Sequence, residues 1–357
     1  MNNCKDLIYN RIGGGNAAIS IAKALGIILV VVGHSGAPGP LTKFIYSFHM
    51  PLFFILSGYF TKEIYTIKEL FSFIAKKMKT LWLPYVLFCI PFVALHNVFL
   101  SKGLAEGGLY SLSDFVKQFA LLLVFKGQPA GFFPAFWFLR ALFISTITMA
   151  VISLVKNSLK IEKYDYLIPL VIASLLQLSL TVLKDNLIVN LTLYSVLYLY
   201  VGKIHRQFIE EPLNINKGLI LCVTLIITII SSQSQLMCQI TEVSSVSFIT
   251  YAFFAYIGSI FIMTCGKIIS EYKGIVQTAL TYIGNHTMII LALHAVVFKL
   301  LNCLFVPIMH LPKERLLSLQ LSSYMFGGWL IYSIVGITIP IMIYWSYESL
   351  KLKIIKK

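Results

Sequence analysis

Apolar runs of about 17–25 residues, long enough to cross a bilayer, recur along the chain between short polar stretches. They predict helices at residues 17–36, 44–60, 80–100, 132–155, 166–183, 187–202, 218–236, 247–265, 276–298 and 325–346. The fold class is therefore an all-α polytopic membrane protein with about ten transmembrane helices. Residues 115–125 form an apolar run too short to span, and are expected to lie at the interface or to re-enter. The longest loops fall at 101–131 and 299–324. No internal repeat or low-complexity linker interrupts the pattern. Residues 1–357 read as a single membrane-embedded domain with no fused soluble domain.

Composition agrees: 58% of residues are hydrophobic and 12% charged, against roughly 25% charged in soluble domains. The first apolar run lacks a small-residue cleavage site and is followed at once by another, so it is expected to remain as an anchor. The net charge of +15 would suggest nucleic acid in a soluble protein. Here the cations sit mainly in short loops, which points to orientation and lipid head groups instead. With the N-terminus inside, the inner segments hold nineteen Lys and Arg and the outer loops eight. The positive-inside rule then places both termini in the cytoplasm. The six Cys form no CxxC pair and no metal-ligand spacing, so they read as small packing residues.

Two cations remain, Lys23 and Arg140, and both fall inside expected spans. No Asp or Glu lies well inside any span, so neither has an evident acidic partner. A buried charge needs compensation, which makes an anionic ligand one candidate for the missing partner. In "SIAKALGIILVVVGHSG", Lys23 and His34 are eleven residues apart, about 20° past three full turns. They share one helix face and lie about 16 Å apart along it, with Lys23 toward the cytoplasm and His34 toward the outside. One reading is a channel wall with a cation inside and a base further out. The other is a Lys23 that snorkels to the inner head groups and a His34 that caps the helix.

Arg140, in "FFPAFWFLRALF", sits about 12 Å into its span, too deep for easy snorkelling. His49 precedes Met50-Pro51 in "FHMPLFFILSGYF", where Pro51 can kink the helix. Ser57 and Gly58, in the same run, offer a small pair that lets a ligand or another helix approach. "IGNHTMIILALHAVVF" carries His286 toward the cytoplasm and His294 in the outer half of its span. His34, His49 and His294 thus share a depth.

These four stretches in this order resemble the integral-membrane acyltransferase-3 family, which O-acylates cell-envelope sugars and related acceptors. Lys23, ten residues, then His34 is similar to its first-helix pattern. "FHMPLFFILSGYF" resembles the second-helix signature, "FWFLRALF" its Arg block and "IGNHTMIILALH" its late His block. The resemblance runs from the first span to the ninth. It implies a multi-pass protein of the bacterial plasma membrane. It implies a cytoplasmic acyl-CoA donor, most commonly acetyl-CoA, no metal, and a sugar or polysaccharide acceptor on or near the outer face. It also implies His34 as general base, with Lys23 and Arg140 offsetting negative charge in the donor and transition state. His49, Ser57, Gly58, Asn285 and His294 are then expected to contact donor or acceptor. Two departures stand out: Ser20 occupies a position often acidic in the family, and Lys23 replaces the commoner Arg, losing its bidentate fork. The competing reading is a carrier or flippase for an anionic lipid-linked sugar, in which the same cations bind phosphate and no bond is made.

Overall fold

The computed structural model describes residues 17–129, 131–182, 186–213, 216–234 and 247–355. Among these, every regular element is helical. We number the main ones α1 (Ala17–His34), α2 (Gly39–Tyr46), α3 (His49–Tyr59), α4 (Ile67–Ala94), α5 (His96–Ser101), α6 (Leu112–Leu123) and α7 (Trp137–Ser158). They continue as α8 (Ile168–Val182), α9 (Leu187–Ile209), α10 (Lys217–Ser232), α11 (Phe248–Glu271), α12 (Ile275–Asn285), α13 (Thr287–Ile308) and α14 (Gly328–Ile355). Among the described residues, 8 helices are long and apolar enough to span: α1, α4, α7, α8 with the turn before it, α9, α11, α13 and α14. The protein is an all-α polytopic membrane protein, as its periodicity predicts.

The expected boundaries need correction in four places. Residues 44–60 are not one span but α2 and α3, of which α3 has 11 residues. The break at Ser47-Phe48 puts Pro51 in the first turn of α3, where its missing N–H has no helical partner to lose. Residues 276–298 are split at His286, with φ −120° and ψ 28°. There the imidazole Nδ1 lies 2.7 Å from the Tyr282 carbonyl that the His286 backbone N–H would otherwise use, and that N–H bonds Ile283 O instead. The third expected span, 80–100, is α4, which begins at Ile67 because Thr66 accepts from the Glu69 N–H and so caps it; a wider turn at Met78–Trp82 carries it on to Pro84. The seventh expected span, 218–236, is the 16-residue α10, with residues 235–236 outside the described residues. Residue 183, at the end of the span 166–183, also lies outside them. Residues 115–125 lie largely within α6, whose 12 residues are too few to span.

The first helix is the hub of the bundle. It packs against α11 and α12 most extensively, and also against α3, α13 and α14. Its sequence allows this: Ala18, Ala22, Ala24, Gly26 and Gly33 are small and buried along its length. A reciprocal close crossing lies between α3 and α9. A Cβ on Gly58 would overlap the Leu199 carbonyl, and one on Gly202 would overlap the Ile55 carbonyl. Each glycine thus admits the other helix's backbone.

A closed ion network ties one end of the bundle together. Lys156 Nζ lies 3.0 Å from Glu63 and 3.0 Å from Asp165. Lys203 Nζ lies 2.5 Å from Glu63 and also pairs with Asp165. Ser153 donates to Glu63 at 2.6 Å, and Asn157 donates to the Ile64 carbonyl at 2.9 Å. Sequence patterning assigns both lysines to loops; the structure buries them within α7 and α9, near the ends of those helices, where two carboxylates neutralise them. Burial pushes the Glu63 carboxyl up, but hydrogen bonds from Lys203, Ser153 and Lys156 outweigh it and hold it at about 2, below its ordinary 4.5. A depressed carboxylate stabilises the fold fully above its unfolded value, and that stability is lost as pH falls through the folded one. Thermal melting of the purified protein should therefore be level from neutral pH down to about 5 and fall steadily below that. Glu63→Gln should melt lower at neutral pH and show a flatter acid limb; an unchanged acid limb in that variant would assign the loss to other groups.

Candidate active site

The stripe predicted on α1 lines a cavity. Lys23, Ile27 and Val30 all face it, at the spacing of one helix face. His34 is the next position on that face, one turn or about 6 Å beyond Val30. A second stripe opposes the first. Thr287 and Leu291 of α13 line the same cavity, and His294 is the next position on their face, three residues on. Met50, Phe53 and Ser57 of α3 close another side, and Phe138, Leu139 and Leu142 of α7 a further one. The cavity holds about 190 Å³. Its walls are almost wholly apolar, with Lys23 toward one end and two histidines past the other.

The two histidines meet. His34 Nδ1 lies 2.9 Å from His294 Nε2, and the rings stack with centroids 5.2 Å apart. Hydrogen-bond bookkeeping fixes the tautomers. His294 Nδ1 faces two backbone carbonyls, Ile290 O at 2.9 Å and Leu291 O at 3.0 Å. Carbonyls only accept, so Nδ1 carries the proton. Neutral His294 then offers a lone pair at Nε2, and His34 Nδ1–H donates to it. That leaves His34 Nε2 as a lone pair. His294 is fully buried while His34 is only partly buried, so His34 is the imidazole of the pair whose free nitrogen can reach a ligand.

His49 stands near this pair, within electrostatic reach of His34. Its Nδ1–H donates to Ile45 O at 2.9 Å, and its ring stacks on Tyr46 at 5.0 Å. Tyr46 in turn donates to Gly33 O at 3.1 Å, the carbonyl just before His34. The short α2 thereby braces both histidines.

The remaining candidates separate. Lys23 forms no ion pair among the described residues; its Nζ lies 5.7 Å from the centroid of the Phe60 ring. Ser57 lines the cavity but spends its hydroxyl proton on Phe53 O at 2.7 Å. Gly58 approaches the α9 backbone rather than the cavity. Asn285 is exposed at the end of α12 and accepts from Ser20 at 2.8 Å. Ser20, at the position of the family's common acidic residue, thus joins α1 to α12. Arg140 sits on α7 more than 90° from the centre of the face formed by Phe138, Leu139 and Leu142, and does not line the cavity.

A match to the acyltransferase-domain profile covers residues 16–345, nearly the whole chain. The chain belongs to the acyltransferase-3 family. Neither the curated proteins nor the solved structures give a match. As a member of the acyltransferase-3 family the protein is a membrane acyltransferase.

Sequence reasoning missed three features in and around this candidate site. It placed His34 and His294 at one depth but did not pair them. It read residues 276–298 as a single helix, whereas the break at His286 sets Thr287 and Met288, at the start of α13, on the cavity wall. It assigned Lys299 to a loop, whereas Lys299 is buried in α13 and donates to Leu316 O and Leu317 O at 2.9 and 2.6 Å. The i, i+4, i+7 series Thr287, Leu291, His294 was the available signal for the first of these.

Proposed function

We propose that the protein is an acyl-CoA-dependent O-acetyltransferase of the bacterial plasma membrane, acting on a sugar hydroxyl of a cell-surface polysaccharide or its lipid-linked precursor. The observation that carries this is the pair of helix stripes that run from Lys23 and Thr287 along one apolar cavity to His34 and His294. Both termini are cytoplasmic in this reading, and the Lys23 end of the cavity faces the cytoplasm. The phosphates of acetyl-CoA belong at that end. Lys23 has no acidic partner there among the described residues, and the orphan N–H groups of the first turn of α13 favour negative charge. The pantetheine arm is thin and largely apolar, and suits the walls. Its thioester would then lie toward His34.

The chemistry follows from the tautomer. His34 Nε2 takes the proton of the acceptor hydroxyl as its oxygen attacks the thioester carbonyl. His294 Nε2 continues to accept from Nδ1–H, which stabilises the imidazolium so formed. The tetrahedral intermediate collapses by breaking the carbon–sulfur bond. The thiolate leaves and receives the proton from His34 Nε2, giving free CoA and the sugar ester. Arg140 stands outside this path, on another face of α7.

Purified protein given labelled acetyl-CoA and candidate glycans should transfer label to one of them. Lys23→Ala should weaken acetyl-CoA binding by about ten- to a hundredfold, the effect of losing one contact to a charged group. Binding of phosphorylated lipid-linked sugar with no label transferred to any acceptor would instead support the carrier reading.

A further inference from the structure

A second cavity, of about 190 Å³, lies where α4, α5 and α6 meet the segment before α7. Its lining differs from that of the first. Three ring faces, Phe92, Phe99 and Phe132, form one side, and pack on one another with centroids 4.8–5.5 Å apart. The Glu106 carboxylate and the Gln118 and Gln128 carboxamides line it as well. None of these three polar groups has a hydrogen-bonded or ion-paired partner among the described residues.

The cavity is built before any ligand arrives. His96 and Tyr110 line it and stack face to face, 3.6 Å apart at 12°. His96 Nε2–H donates to Gly108 O at 3.1 Å. Asn97 holds Tyr110 from both sides, accepting from its N–H at 2.7 Å and donating to its carbonyl at 2.9 Å. Ser111 and Asp114 then cap α6 reciprocally. The loop is thus fixed at both its histidine and its tyrosine.

Its place in the bundle matters as much. Lys299 lies five residues beyond His294 on α13, about 7.5 Å further along the axis. Its Nζ is 5.9 Å from the centroid of Phe132, a wall of this cavity. The second cavity therefore lies toward the histidine end of α13, about 140° around the helix from His294, and away from Lys23.

We propose that this cavity holds a neutral pyranose ring of the acceptor, so that donor and acceptor enter by different cavities. The inference rests on the acyl-transfer reading for the word acceptor, but not for the sugar. The C–H face of a pyranose carries slight positive charge and sits on the negative face of an aromatic ring. Neighbouring hydroxyls match a carboxylate, which accepts two hydrogen bonds, and carboxamides, which donate and accept. The charge selects further. Lys299 bonds two backbone carbonyls and stays off the lining, where Glu106 is the one charged side chain. A carboxylate there repels uronic and other anionic sugars.

Saturation-transfer NMR on the full chain in detergent tests this, with methyl glucoside, methyl galactoside, methyl N-acetylglucosaminide and glucuronate as probes. At least one neutral glycoside should receive saturation at its ring C–H protons, and glucuronate should not. The Glu106→Gln/Gln128→Ala variant should lose that signal about tenfold or more, with acetyl-CoA affinity and melting temperature retained. Gln118→Ala, on a different element, serves as a second probe in case the first variant misfolds. No transfer to any neutral glycoside, equal transfer to glucuronate, or signals unmoved in both variants would each overturn the proposal. The two readings fail separately. Sugar binding without any acyl transfer leaves this site standing and removes the transferase scheme. Acyl transfer with an acceptor KM unmoved by these variants does the reverse.

Discussion

His34→Ala is expected to abolish acyl transfer while leaving acetyl-CoA affinity within a few-fold of the native protein. The cause is the division of labour that the proposed scheme sets along the cavity. Donor charge belongs at the Lys23 end, and the walls between, Ile27 and Val30 on α1, bind without discriminating ground state from transition state. His34 acts only once a proton moves. Losing a positioned general base costs about 10²–10⁴-fold in rate, and an interaction made only in the transition state lowers kcat without moving binding. Neither Ile27 nor Val30 can take the proton in its place. Calorimetry on the variant separates the alternatives. Lost donor binding would make His34 a binding or structural residue. Substantial turnover would remove it from the chemistry altogether.

The α1 stripe was legible in the sequence because it is a property of one helix. Periodicity alone puts Lys23 and His34 on a common face, and the structure places Lys23, Ile27 and Val30 along one cavity in that register. What the face meets is a tertiary fact. Nothing local in "GNHTMIILALH" says that His294 faces His34 rather than lipid, and the pairing appears only when α13 packs on α1. Burial of cations fails in the same way. Lys156 and Lys203 read as loop residues because the carboxylates that admit them, Glu63 and Asp165, belong to loops at other points in the chain. The helix breaks were partly readable. Pro51 marks the first of them, whereas the break at His286 depends on a side chain taking its own helix's carbonyl. Arg140 was legible by depth but not by face: depth is set by position in the span, and its face of α7 is not that of Phe138, Leu139 and Leu142.

The His34–His294 bond predicts a second large effect, at a residue with no exposure of its own. His294→Leu should lower kcat by at least 10²-fold, and removing the group that holds a catalytic imidazole in its working tautomer can cost about 10⁴-fold. Without the Nε2 acceptor, His34 has no partner at 2.9 Å to keep its proton on Nδ1, and Nε2 is no longer reserved as the base. The nascent imidazolium also loses the hydrogen bond that spreads its charge into a site otherwise lined by apolar side chains. His294→Gln should recover part of the loss, because its carboxamide oxygen can accept from His34 Nδ1–H. Acetyl-CoA affinity should stay near the native value in both variants, since Thr287 and Leu291, not His294, line the donor cavity on α13. Comparing kcat and donor KM across the three proteins checks this. A Leu variant that keeps kcat within a few-fold would show that the stacked pair is a packing contact and that His34 holds its tautomer unaided. A Gln variant no better than Leu would locate the effect in the shape of the buried ring instead of its lone pair.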